Sequence, residues 1–116
     1  MVDMPRELFE ELVRAALDGV PAELAALVDN CVVLVEDDPP AGTPDLLGVY
    51  EGTPLTARGQ GYTMALPDRI TVFRNPILAI CETEQEILEQ VRITVAHEIA
   101  HHFGIDDDRL HDLGYA

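Results

Sequence analysis

The stretch Ala96-His97-Glu98-Ile99-Ala100-His101-His102-Phe103-Gly104-Ile105-Asp106-Asp107 lies near the C-terminal end of the chain and decides how the remainder is read. Residues four apart on an α-helix project from one face, so His97 and His101 can reach a single metal ion while Glu98 stands beside them. This is the H-E-x-x-H arrangement of zinc hydrolases, where the metal takes three protein ligands and keeps a fourth position for water. A third ligand must be found. Nine residues follow Asp107, so the downstream candidates are expected to be Asp106, Asp107, Asp108, His111 and Asp112. A glycine three residues after the second histidine ends the helix in a left-handed residue and turns the chain back. Asp107 then sits ten residues after His97, the offset of the third ligand in H-E-x-x-H-x-x-G-x-x-H proteins, and it is the residue selected here.

Upstream of the motif, Thr83-Glu84-Gln85-Glu86 reads as a capping box, which starts the last long helix at Glu84. Apolar positions Leu88, Val91, Val95 and Ile99 follow at helical spacing, so the helix spans residues 84–103. Two helices are expected at the N-terminus. The first covers residues 4–17 with a buried stripe of Leu8, Leu12, Val13, Ala16 and Leu17, and a short second begins at Pro21 and runs to residue 27 or 28. Cys31 to Val35 is an apolar, largely β-branched run that reads as a strand buried on both faces. Residues 46–50 and 69–73 read as two further strands, and residues 77–80 as a helical turn after Asn75-Pro76. Residues 55–67, with Gly59, Gly61 and Pro67, read as an irregular loop that borders a cleft.

The run His97-Glu98-Ile99-Ala100-His101-His102-Phe103-Gly104-Ile105, with Asp107 and Arg109-Leu110, resembles the small bacterial zincin-like metallopeptidases that end in H-E-x-x-H-x-x-G-x-x-D. The resemblance extends to residues 30–37, 46–52 and 66–74, and so covers nearly the whole chain. It implies an α+β fold of minimal zincin type, a three- to four-stranded sheet against two main helices, the C-terminal one carrying the motif. It also implies zinc held by His97, His101 and Asp107, with Glu98 as the base. One feature of larger zincins is missing: no methionine follows Asp107, so the tail cannot build a Met-turn beneath the metal, and Met64 lies upstream.

Length and composition set the outer bounds. At 116 residues the chain reads as one domain over residues 1–116. An apolar fraction of 47% with 25% charged residues is ordinary for a globular protein and too polar for a membrane span. The formal net charge is −15, from 22 acidic residues against seven arginines and no lysine. Such a surface repels phosphate backbones, so nucleic acid is not an expected partner, and acidic peptides are expected to be poor ligands. Met1 to Leu8 has neither the basic start nor the apolar run of a secretory signal, and the protein is read as cytoplasmic. Cys31 and Cys81 are expected to be buried free thiols.

The expected activity is hydrolysis of a peptide or other amide bond by metal-activated water, with Glu98 taking the proton. The alternative of another class is a zincin-fold protein that keeps the metal for stability or partner binding. A metal-dependent endoribonuclease is a third reading, because one bacterial family has three histidines at the offsets of His97, His101 and Asp107. That family has glycine where Glu98 stands, and the net charge opposes RNA. His102 is expected to pack or support the site, and His111 to be exposed. Tyr50, Tyr62 and Tyr115 are the phenols available to an oxyanion, and Arg69, Arg74 and Arg92 are expected to pair with scaffold carboxylates.

Overall fold

A computed structural model describes residues 3–26, 31–52 and 68–112, with the side chains of Asp107, Leu110 and His111 outside the described set. The described elements run α1 (Arg6–Asp18), α2 (Ala22–Ala25), β1 (Cys31–Glu36), β2 (Gly48–Glu51), β3 (Asp68–Phe73), α3 (Arg74–Ile80), α4 (Glu84–His102) and α5 (Asp107–Asp112). The fold is α+β, as the sequence implies. The expected loop over residues 55–67 lies outside the described residues.

The three strands form one sheet in the order β1-β3-β2, with β3 parallel to β1 and antiparallel to β2. The register gives each face its residues. Cys31, Val33, Val35, Gly48, Tyr50, Asp68, Ile70 and Val72 share the face toward the helices, and Val32, Leu34, Val49, Glu51, Arg69, Thr71 and Phe73 share the other. Helices α1 and α4 pack together, and α4 lies against β2 and β3. The core between these layers holds Phe9, Val13, Leu24, Ile70, Val72, Ile77, Ile87, Val91, Val95 and Ile99. Each such side chain removed from water contributes roughly 1.5–3 kcal/mol.

Two strand readings exchange places. Cys31 to Val35, expected to be buried on both faces, is the edge strand β1, where Val32 and Leu34 are 41% and 42% exposed. The doubly buried strand is β3, whose Ile70, Thr71, Val72 and Phe73 are all buried. Apolar composition raises the tendency to be covered, but which strand is covered depends on its place in the sheet and on the helix and neighbouring side chains packed over it, which the local sequence does not specify.

The helices differ in smaller ways. Helix α1 buries Phe9 most deeply, with Val13 and Ala16, while Leu8, Leu12 and Leu17 are only partly buried against the core. Helix α3 begins at Arg74, three residues before the expected turn. Pro76 sits in its first turn, where a missing N–H costs no intrahelical bond. At the start of α4 the Thr83 side chain accepts from the Glu86 amide at 3.1 Å, as the capping box requires. Glu86 reaches back to the amide of Glu82 at 3.4 Å, one residue beyond the usual partner.

Of the cysteines, Cys81 is buried and Cys31 is half-buried, and neither is in a disulfide. The three arginines make the expected carboxylate pairs, Arg69 with Glu51, Arg74 with Asp37 and Arg92 with Glu89.

Candidate metal centre

Helix α4 ends as Gly104 suggests. The glycine has φ +73°, its N–H donates to the His101 carbonyl at 3.3 Å, and the Ile105 N–H donates to the Ala100 carbonyl at 2.8 Å. This pair of bonds is a Schellman motif, which satisfies the last carbonyls and reverses the chain. Ile105 is partly buried against the core, so the reversal is fastened. The next helix, α5, therefore starts close to the end of α4, with Asp107 as its first residue.

His97 and His101 lie on one face of α4 with ring centroids 5.9 Å apart and planes inclined at 59°. Both line a cleft of about 210 Å³ together with Glu98, Gln90, Ile93 and Thr94 of α4 and Leu46, Leu47 and Gly48 of the β2 approach. Zinc–imidazole bonds of roughly 2.0–2.1 Å in a tetrahedral site place two centroids that share an ion about 5–5.5 Å apart. The observed 5.9 Å is slightly wider than that, so the two rings face one region and would close by about half an ångström on a shared ion. A roomier hollow of about 410 Å³ lies on the opposite sheet face among Leu34, Glu36, Val49 and Arg69, and it contains no histidine.

The chain from Gly48 to Gly52 runs beside α4 through three contacts in step with the helix. A Cβ built at Gly48 would stand 2.8 Å from the Thr94 methyl, so only glycine lets the strand lie this close. Two residues on, the Tyr50 N–H donates to Glu98 Oε1 at 2.9 Å. Two further on, Gly52 lies against the His102 ring, where a Cβ would be 3.2 Å from Cε1. Two strand residues advance roughly 6.6 Å and four helical residues about 6 Å, so strand and helix stay in register over this length.

The acidic run after Gly104 is divided by role. Asp106 accepts from the Arg109 amide through Oδ1 at 2.9 Å and so caps α5. Asp108 is exposed. The side chains of Asp107, the expected third ligand, and of His111, the expected exposed histidine, lie outside the described set. Among the described residues, no group of three His, Cys, Asp or Glu side chains is gathered for a metal.

A family model described as zincin-like metallopeptidase matches residues 28–115. The chain belongs to that family. Among solved structures, a conserved hypothetical protein from Thermus thermophilus superposes with a TM-score of 0.56 at 22% identity, covering 86% of this chain and 94% of that one. That likeness is one of fold. No curated protein matches the chain.

For a zincin-like metallopeptidase, the remaining residues near the motif have definite partners. His102 does not join His97 and His101; its ring stacks on Tyr50 at 3.9 Å between centroids with the planes 22° apart. The Tyr50 hydroxyl donates to Asp68 Oδ2 at 2.8 Å, so the proton of this phenol is given to that carboxylate. Tyr62 and Tyr115 lie outside the described residues. Burial, with the Asp68 hydrogen bond next, pushes the Tyr50 pKa above its ordinary value. Gly48, Gly52, the Tyr50 amide and Asp68 all bear on the site without being found by motif reading. Two glycines flanking a tyrosine in a short strand are the one local signal that pointed there.

Proposed function

We propose that this chain is a zinc-dependent peptidase, with His97, His101 and Asp107 holding the metal and Glu98 as general base. The observation that carries the reading is that Glu98 lines the same cleft as His97 and His101 while one of its carboxylate oxygens is held by the Tyr50 amide. Zinc, when bound, supplies a Lewis acid that lowers the pKa of water toward about 7 and polarises a carbonyl.

Glu98 takes the proton released as water adds to the scissile carbonyl carbon and delivers it to the leaving amine. Leu46, Leu47 and Ile93 form an apolar wall beside these groups, suited to an aliphatic side chain next to the cleaved bond. The net charge of −15 favours peptides or proteins that are neutral or basic and disfavours nucleic acid. No helix among the described residues is long and apolar enough to cross a membrane, and action on cytoplasmic peptides is part of the proposal.

Metal analysis of protein purified without chelator, paired with hydrolysis of a broad peptide library, tests this reading. Wild type should carry zinc and cleave. The Glu98→Gln variant should keep its zinc and lose at least about 100-fold in turnover, the usual scale for a general base. Wild-type protein loaded with zinc that cleaves nothing in the library would leave the metal-binding, non-catalytic alternative in its place.

A further inference from the structure

A glutamate on a helix has three side-chain torsions, and packing of the helix alone does not fix where its carboxylate points. In this chain the fixing group comes from the sheet. The Leu47 carbonyl accepts from the Phe73 amide of β3 at 2.9 Å, and main-chain direction alternates along a strand, so the Tyr50 N–H points away from β3, on the side of β2 where no described strand pairs. It meets Glu98 Oε1 there at 2.9 Å. Glu98 Oε2 makes no hydrogen bond to a described residue.

Tyr50 itself is held from two sides. Its hydroxyl donates to Asp68 at the first position of the central strand, and its ring lies flat on His102 at the end of α4. The flanking glycines allow the strand to approach α4 on either side of it. The main-chain N–H at residue 50 is thereby pinned by the side chain that follows it.

We propose that Tyr50 is the positioning residue for the Glu98 carboxylate, and that Asp68 acts through the Tyr50 hydroxyl to hold the residue-50 amide on Glu98. The catalytic part of this inference rests on the peptidase reading; the structural part does not. It predicts that the orientation of the proton acceptor is set by β2 and β3, at residues far from the motif in sequence.

The test reads amide hydrogen exchange at residue 50 by NMR in the full chain, alongside turnover. Glu98→Ala should speed exchange at Tyr50 by about tenfold or more, the scale of one hydrogen bond to a charged group, with Val49 and Glu51 unchanged. Tyr50→Phe, which keeps the ring stack and removes the hydroxyl, should speed it by about threefold to tenfold, as should Asp68→Leu. Asp68→Asn retains an acceptor for the hydroxyl and should restore slow exchange. Should Asp68→Leu fail to fold, Tyr50→Phe carries the comparison.

In the turnover arm, Tyr50→Phe and Asp68→Leu should lower kcat at unchanged KM and zinc content, with Asp68→Asn recovering kcat. Residue-50 exchange unchanged in both Tyr50→Phe and Asp68→Leu overturns the proposal. Absence of wild-type turnover refutes the peptidase reading alone, because the exchange arm still decides who holds Glu98.

Discussion

Gly48 of β2 faces Thr94 of α4 so closely that a Cβ at residue 48 would lie 2.8 Å from the Thr94 methyl and 3.0 Å from the Thr71 carbonyl oxygen. The first neighbour is a side-chain tip; the second is main chain of the central strand and cannot step aside. Gly48→Ala should therefore destabilise the protein by about 1–3 kcal/mol through overpacking. Urea unfolding checks the value. Thr94→Ser, which removes the methyl, should recover part of the loss in the double variant, and a strictly additive pair would contradict the contact.

Gly104 presents the opposite case, since a Cβ there meets nothing within 4 Å while φ is +73°. Any cost of substitution is then backbone strain alone. Gly104→Ala should lose about 1–2 kcal/mol, and Gly104→Asn clearly less, because Asn tolerates the left-handed region. Zinc affinity should fall in the same order, since the turn at Gly104 sets where Asp107 begins α5.

Asp106 and Asp107 are adjacent and should separate cleanly by experiment. Asp106→Ala removes the α5 cap and should cost about 1 kcal/mol of stability while zinc content is retained. Asp107→Ala should leave stability of the metal-free protein nearly unchanged and weaken zinc binding by at least about tenfold. His102→Ala should keep its zinc, because the ring is stacked on Tyr50. Isothermal titration with zinc, run beside thermal melts of the metal-free variants, reads all three.

Alkaline pH should weaken the fold. Burial raises the Cys81 thiol pKa above its ordinary 9.0, with Glu86 and Glu82 adding repulsion. Burial and then the Asp68 charge raise that of Cys31. Tyr50 is raised above 10.0 by burial and its bond to Asp68. Each group holds its proton to higher pH folded than unfolded, so above about pH 9 the unfolded chain binds fewer protons and unfolding becomes easier as pH rises. The stabilisation is complete below the unfolded values and is lost as pH climbs through the folded ones. Urea midpoints should fall between about pH 9 and 11, less steeply in Cys81→Ala and in Tyr50→Phe; a flat wild-type profile over that range would contradict the assignment.

The motif helix and its limits were written in the sequence because they are local. Thr83 caps the amide three residues on, apolar positions recur at helical spacing, and Gly104 ends the turn it was expected to end. The pairing of His97 with His101 on one face follows from the same four-residue interval, and membership of the zincin-like family follows from the motif with the residues around it. These features depend on neighbours within a few positions.

What only the tertiary structure decided depends on which segments meet. Strand order made β3 the covered strand and left the more apolar run of β1 at an edge, because coverage is conferred by place in the sheet and by what packs over each strand. The same packing brought a main-chain N–H at residue 50 to the carboxylate of residue 98. Every non-proline residue carries that N–H. Its partner is therefore fixed by the approach of β2 to α4, which Gly48 and Gly52 permit and which nothing in the motif around residue 98 announces.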